Sequence, residues 1–245
     1  MKLLVFKNIE ELSADFCNKL VQLTNGNDKL FLALSGGSTP RIIFNTLVED
    51  FRKKIDWNKI HFFWGDERCV SLDHPESNYG MAKEYLLNHI DIPEENIHRI
   101  RGENNPADEA ERYSDEIKNF LPEVKGFPQF DIVMLGLGED GHTASIFPDQ
   151  SELLSSGKIC EVAVHPTTKQ KRITITGNVI NNSKRIFFIM TGMNKALILS
   201  QIMNKEDDYN KYPAAHIKPA NGLLEWYLNI EEDPRDLFKG NFNSK

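Results

Sequence analysis

The sequence predicts an α/β domain in which a parallel sheet carries helices on both faces. Three observations predict it. Short continuous apolar runs recur at Phe31–Leu34, Ile60–Trp64, Ile132–Leu135 and Ile186–Met190, and such runs suit strands buried on both faces. Stretches of helical periodicity separate them over most of the chain. Three strand ends empty into glycine-rich or hydroxyl-rich turns. In a parallel sheet all C-terminal strand ends lie on one edge, so these turns can converge.

In chain order, Lys2 to Phe6 reads as a first strand. Ile9 to Leu23 has apolar positions at Leu12, Phe16, Leu20 and Leu23, a helical spacing that Asn25-Gly26-Asn27-Asp28 ends with turn chemistry. Phe31–Leu34 runs into Ser35-Gly36-Gly37-Ser38-Thr39-Pro40-Arg41. Pro40 fits the first turn of a helix, with Ser38 or Thr39 as N-cap. The third strand, Ile60–Trp64, delivers Gly65-Asp66-Glu67-Arg68, either a site or an ion-paired rim. Ser77-Asn78-Tyr79 starts a helix through Ile90, and Ile97 to Ile100 reads as a short edge strand. Pro106 to Leu121 is an acidic amphipathic helix with Ala110, Tyr113, Ile117 and Phe120 inward. Pro122 to Pro128 is a loop. Val162–Val164 is apolar, and Lys171 to Thr176 alternates as a half-exposed strand should. Ile186–Met190 leads through Gly192 into a helix to Met203 that carries Lys195 in its first turn. Tyr212–Ala215 and Leu223–Asn229 close the fold, and Lys239 to Lys245 is expected to fray.

Composition narrows the function. The 245 residues are 40% apolar and 27% charged, ordinary for a globular domain, and are expected to form one domain over 1–245. The N-terminus lacks the long apolar core of a signal peptide, and no apolar run approaches the ~20 residues that span a bilayer. Cys17, Cys69 and Cys160 are odd in number and widely spaced. They indicate neither a disulfide framework nor a thiolate zinc site, and a cytoplasmic location is the simple inference. A net charge of −7 argues against general nucleic-acid or anionic-membrane binding, while leaving room for an anionic small molecule.

The chemistry concentrates in Asp131 to Pro148. The apolar run Ile132–Leu135 is followed by Gly136, Gly138 and Gly141, with Asp140 and His142 among them and Thr143 and Ser145 after. Glycines let a ligand approach the backbone, and a strand that ends in such a loop is how an open α/β sheet presents reactive groups. The alternative is a tight βα turn with a solvated Asp and His. The Ser35–Thr39 junction offers free N–H groups, two glycines and hydroxyls at a helix N-terminus, a ready anion site. It has neither the Gly-Lys-[Ser/Thr] ending of a phosphate-binding nucleotide loop nor the Gly-x-Gly-x-x-Gly of a dinucleotide fold. Its bland alternative is a capped turn. Lys195 opposes its own helix dipole, which gives an anionic partner a reason to be there.

Taken together, Leu34–Pro40, Trp64–Arg68, Ser77–Tyr79, Leu135–Pro148, Arg172–Thr174, Gly192–Ala196 and Tyr212–Ala214 resemble the 6-phosphogluconolactonase family, in family order over about residues 31 to 226. The resemblance implies a Rossmann-like fold shared with glucosamine-6-phosphate deaminases and ribose-5-phosphate isomerases. It implies hydrolysis of 6-phospho-D-glucono-1,5-lactone, with no metal and no cofactor. Under it His142 is the general base, oriented by Asp140 or Asp66. Arg68 or backbone N–H groups of the glycine loop face the oxyanion. Ser35, Gly36, Gly37, Ser38, Thr39, Arg172 and Lys195 hold the phosphate. His61, His74, His89, His98, His165 and His216 are expected to be structural or at the surface. Two departures stand out. The deaminases follow their histidine with Phe-Asn-Glu-Pro, where this chain has Ser145-Ile-Phe-Pro148. The lactonases often carry an aspartate where this chain has Asn229. The rivals are a deaminase or aldose–ketose isomerase on the same scaffold, and a non-catalytic sugar-phosphate sensor. The sensor is disfavoured because the chain is acidic and has no basic helix-turn-helix segment.

Overall fold

A computed structural model describes residues 1–206, 208–231, 233–239 and 243–244. The elements run β1 (Lys2–Phe6), α1 (Ile9–Asn25), β2 (Leu30–Leu34), α2 (Ser38–Thr46), β3 (Ile60–Trp64), β4 (Asp66–Arg68), α3 (Asn78–Tyr85), α4 (Pro106–Phe120), β5 (Glu123–Val124), β6 (Phe127–Pro128), β7 (Ile132–Leu135), β8 (Cys160–Val164), β9 (Lys171–Ile175), α5 (Gly177–Asn181), β10 (Arg185–Thr191), α6 (Met193–Asn204), β11 (Leu223–Asn229) and β12 (Asn243–Ser244). Seven strands form one sheet in the order β12-β1-β11-β10-β7-β2-β3, every pair parallel. Helices flank this central sheet. A smaller antiparallel sheet, β4-β9-β8, carries α4 against it.

The strand order places the site. From β2 the chain steps outward to β3, whereas from β7 it steps the other way to β10 and β11. The β2–β7 boundary is therefore the point where the winding reverses, and the turns after these two strands splay apart to leave a crevice. At the opposite edge Asp131 fastens the same strands. Its carboxylate accepts from Phe31 N at 2.8 Å and from Lys184 Nζ at 2.7 Å. The apolar runs are buried as expected, from Leu32 to Leu34, Ile60 to Trp64, Ile132 to Leu135 and Ile186 to Met190.

Several local expectations are corrected. The helix after β2 begins at Ser38 with Gly37 as N-cap, at φ 110°, and has no side-chain cap. A left-handed φ there favours glycine over the serine or threonine expected. Asp66–Arg68 is neither a continuation of β3 nor a rim. Gly65 donates to Leu34 O and accepts from Ile175 N, both at 2.9 Å, so the chain leaves the first sheet and pairs with β9 in the second. Lys171–Ile175 is buried at all but its first residue, not half-exposed, because β4 and β8 flank it and α4 packs on the sheet. Ile97–Ile100 makes only an isolated bridge, Phe62 to Ile97. The helix expected to run to Ile90 ends at Tyr85 and gives way to a 3-10 turn, Leu87–His89. Phe120, expected inward, is 41% exposed and lies over His98 with ring centroids 4.1 Å apart. The Pro122–Pro128 loop contains the β5–β6 hairpin. In the tail expected to fray, Asn243–Ser244 pairs with β1, while residues 240–242 and 245 lie outside the described residues.

Candidate functional site

At the winding reversal lies a cleft of about 260 Å³, lined by Ser35, Gly36, Asp66, Arg68, Asn78, Gly136–Glu139, His142, Ala144, Arg172 and Lys195. Six elements deliver them, α3 giving Asn78. The loop after β2 gives Ser35 and Gly36, β4 gives Asp66 and Arg68, the loop after β7 gives His142, β9 gives Arg172, and the first turn of α6 gives Lys195. An adjoining depression of about 620 Å³ shares Arg68 and Asn78 and adds Gly37 and Ser38. Thr39 lines neither. It is buried, with its hydroxyl 3.4 Å from that of Thr191, and so ties the start of α2 to the end of β10.

His142 is held from below by Asp140. Its Nδ1 lies 2.5 Å from Asp140 Oδ1, which also accepts His142 N at 3.1 Å. An ionised carboxylate only accepts, so Nδ1 carries the proton and Nε2 carries the lone pair. Desolvation pushes the Asp140 carboxyl upward, but the hydrogen bond and charge of the imidazole outweigh it and hold it below the usual carboxylate value. The loop is shaped for this pair. A Cβ at Gly138 would stand 2.1 Å from His142 Nδ1, and one at Gly141, where φ is 77°, would meet the Tyr212 ring at 2.2 Å. The imidazole rests on Phe147, ring centroids 4.8 Å apart. Asp66, the other acid considered for orienting His142, is engaged elsewhere: its Oδ2 accepts from Ser145 Oγ at 2.6 Å.

Positive charge gathers in the same cleft. Arg68 and Arg172 are direct cross-strand partners in the β4–β9 register. Both Nε atoms are buried without an acceptor among the described residues. Arg68 Nη1 donates to Glu76 O at 2.6 Å, and the Arg172 guanidinium lies 5.6 Å from the Phe147 ring centre. Burial, and then the charge of Arg68, lowers the Arg172 pKa. Desolvation likewise lowers that of Lys195, against the pull of Glu139. Like charges directly opposite in a sheet are unfavourable unless something anionic sits between them.

Sequence reasoning brought most of this set together but missed Asn78, Glu139 and Ala144. Asn78 donates Nδ2 to Asp66 O at 2.9 Å, and a Cβ at Gly36 would lie 1.7 Å from its Oδ1, so the second glycine-turn residue is small to admit this amide. The signal was present in Ser77-Asn78-Tyr79, which reads as a helix start and as one motif of the family resemblance but is given no site role there. Glu67, the middle residue of the charged triplet, is 2% exposed and caps that helix. It accepts from Arg68 N, Asn78 N and Tyr79 N at 2.7–2.8 Å and from Ser77 Oγ at 3.1 Å. Burial pushes its carboxyl up to about 7, and the N–H groups of Tyr79, Asn78 and Arg68 pull the other way. His165, expected to be structural or at the surface, stands close by, its ring against Phe147 with centroids 5.2 Å apart. His61 and His98 form a buried pair, Nδ1 to Nε2 at 3.1 Å, well away from the cleft lining. Asn229 donates to Phe6 O at 3.1 Å, and its carbonyl accepts from Gly192 N at 3.0 Å, which fixes the turn before Lys195 without an acid.

The comparisons agree with this geometry. The family described as "Glucosamine-6-phosphate isomerases/6-phosphogluconolactonase" matches residues 7–226. A 6-phosphogluconolactonase of Haemophilus influenzae is 44% identical over 204 residues, covering 83% of this chain and 86% of its own. One from Aggregatibacter actinomycetemcomitans is 40% identical over 230 residues, covering 94% and 97%. Among solved structures, the 6-phosphogluconolactonase of Trypanosoma brucei superposes with a TM-score of 0.83 at 30% identity, covering 94% of this chain and 96% of that one. A monomeric glucosamine-6-phosphate deaminase shares the fold, with a TM-score of 0.82 at 21% identity. With a cleft at the winding reversal and most of its length matched, the chain belongs to the glucosamine-6-phosphate isomerase/6-phosphogluconolactonase family.

Proposed function

We propose that the chain, acting as one lactonase domain, hydrolyses 6-phospho-D-glucono-1,5-lactone to 6-phospho-D-gluconate in the oxidative branch of the pentose phosphate pathway. The observation that carries this reading is an imidazole buttressed by a carboxylate in the same cleft as a cluster of under-partnered cations. His142 takes the proton of the attacking water through Nε2 and returns one to the ring oxygen as the lactone opens. Asp140 fixes the tautomer and stabilises the imidazolium. Arg172, Lys195 and the turn of Ser35, Gly36, Gly37 and Ser38 hold the phosphate, with Thr39 supporting that turn from beneath. Asp66 acts through Ser145, keeping the segment after His142 against the second sheet. The lactone is already activated, so positioning and one proton relay are adequate for the modest barrier reduction required.

The same scaffold carries deaminases, but a deaminase reading lacks the extra carboxylate after the histidine, where this chain has Ser145-Ile146-Phe147-Pro148. Relatives at 40–44% identity are named 6-phosphogluconolactonases. The test is NMR of freshly made 6-phosphogluconolactone with and without the protein, alongside assays with glucosamine 6-phosphate and ribose 5-phosphate. Accelerated ring opening with no turnover of the other two is expected. Turnover of either sugar phosphate with no effect on the lactone would overturn the assignment.

A further inference from the structure

The reading above leaves open which group meets the oxyanion. We propose that the backbone N–H of Ala144 is that donor, an assignment that rests on the lactonase reading of the cleft. Ala144 lines the cleft two residues after His142 and has φ 48°, one of four non-glycine residues with positive φ among the described residues. For an L-residue that conformation costs free energy and persists only where the surroundings impose it. Here they do. Thr143 N donates to Ile146 O and Ile146 N back to Thr143 O, at 3.4 and 2.9 Å. Ser145 N donates to Thr174 Oγ1 at 3.2 Å, and Ser145 Oγ to Asp66 Oδ2 at 2.6 Å. His142 N is taken by Asp140. From His142 to Ile146 every amide N–H has an acceptor within the protein except that of Ala144, among the described residues. A strained turn that satisfies its neighbours and leaves one N–H unpaired at a residue lining the cleft is suited to be a preorganised donor.

The step balances as follows. A lone pair of water forms the new C–O bond at the lactone carbonyl carbon while His142 Nε2 takes one water proton. The carbonyl π pair moves onto its oxygen, and the Ala144 N–H donates to the resulting oxyanion. When that pair returns to re-form C=O, the bond to the ring oxygen breaks, and the ring oxygen leaves with the proton from Nε2. Arg68 is the competing donor, because its Nε is also unpaired. However, Arg68 is anchored through Nη1 to Glu76 O and paired across the sheet with Arg172, which sets it with the phosphate-holding cations.

The test is an amide-to-ester exchange at residue 144, made by incorporating lactic acid in place of alanine, which removes the N–H and keeps the side chain. The control is the same exchange at residue 155, using glyceric acid in place of serine, where the lost N–H is bonded to Glu152 O outside the cleft lining. At residue 144 kcat should fall about 10²–10³-fold with KM changed by less than about threefold, and at residue 155 kcat should hold within about threefold. Ala144→Gly keeps the N–H and relieves the strain, so its loss of kcat should be smaller than that of the ester at the same position. Equal losses at 144 and 155, or an unaffected kcat at 144 with a large kcat loss in Arg68→Met, would overturn the assignment while leaving the lactonase reading intact. A wild-type protein that fails to open the lactone would overturn both.

Discussion

At the scale of single residues the site depends on contacts measured in tenths of an ångström. Among the described residues lining the cleft His142 is the one imidazole, and in its proposed role as general base it would contribute ~10²–10⁴-fold, which His142→Asn removes. After subtraction of spontaneous hydrolysis, its kcat on the lactone should fall by about that factor while the variant still binds 6-phosphogluconate. Gly138→Ala tests the same point indirectly. The new methyl would displace the imidazole from Asp140, so kcat should fall although no reactive group has been removed. Lys195 gives a pH signature. Its ammonium loses its proton more easily than a free lysine, whose pKa is about 10.4, because it is desolvated. In its proposed role the charged form holds the phosphate, so kcat/KM should decline on the alkaline side with an apparent pKa below that value. Lys195→Met should abolish this limb and raise KM more than it lowers kcat. An unchanged alkaline limb in that variant would assign the titration to another group.

At the scale of elements the informative unit is β4 with α3. A carboxylate with four donors, two of them the first N–H groups of α3, makes Glu67 a clamp between strand and helix. Glu67→Ala strands those donors in a buried space, and the expected cost is on the order of 3 kcal/mol, seen as a lower urea midpoint at unchanged m. Asn78 and Arg68 should loosen with it and KM should rise. Element by element, the sequence was most legible where one property decided the outcome. The runs in β2, β3, β7 and β10 are apolar except for His61, and their burial follows directly. Legibility failed where a distant partner decided. Asp66–Arg68 reads as a charged strand end until β9, more than a hundred residues later, pairs with it. Lys171–Ile175 alternates in polarity, yet Arg172 and Thr174 are buried because the cleft needs one and Ser145 the other. Glu67 looked like surface charge because its acceptor role depends on a helix start ten residues downstream.

At the scale of the whole molecule, the parallel order of the strands brings Ser35, His142 and Lys195 to one edge from positions far apart in the chain, and the reversal between β2 and β7 opens the space between them. That much followed from strand–turn–helix patterning. The contribution of the small antiparallel sheet did not, and it supplies Asp66, Arg68 and Arg172. The Arg68–Arg172 pairing has a thermodynamic consequence for the entire chain. Two adjacent guanidinium groups repel one another in the empty protein, so the ligand-free fold carries a local electrostatic penalty that an anion relieves. Ligand occupancy and folding are therefore linked. A ligand at a hundredfold its Kd stabilises the native state by about 2.7 kcal/mol. 6-Phosphogluconate should raise Tm and slow amide hydrogen exchange in β4 and β9 before it does so in β1 or β11. Added salt should narrow the difference by screening the repulsion. In Arg172→Met the free protein should melt higher than the wild type and respond less to the ligand. The charge pair that weakens this corner of the free protein would then make it respond to 6-phosphogluconate before β1 and β11 do.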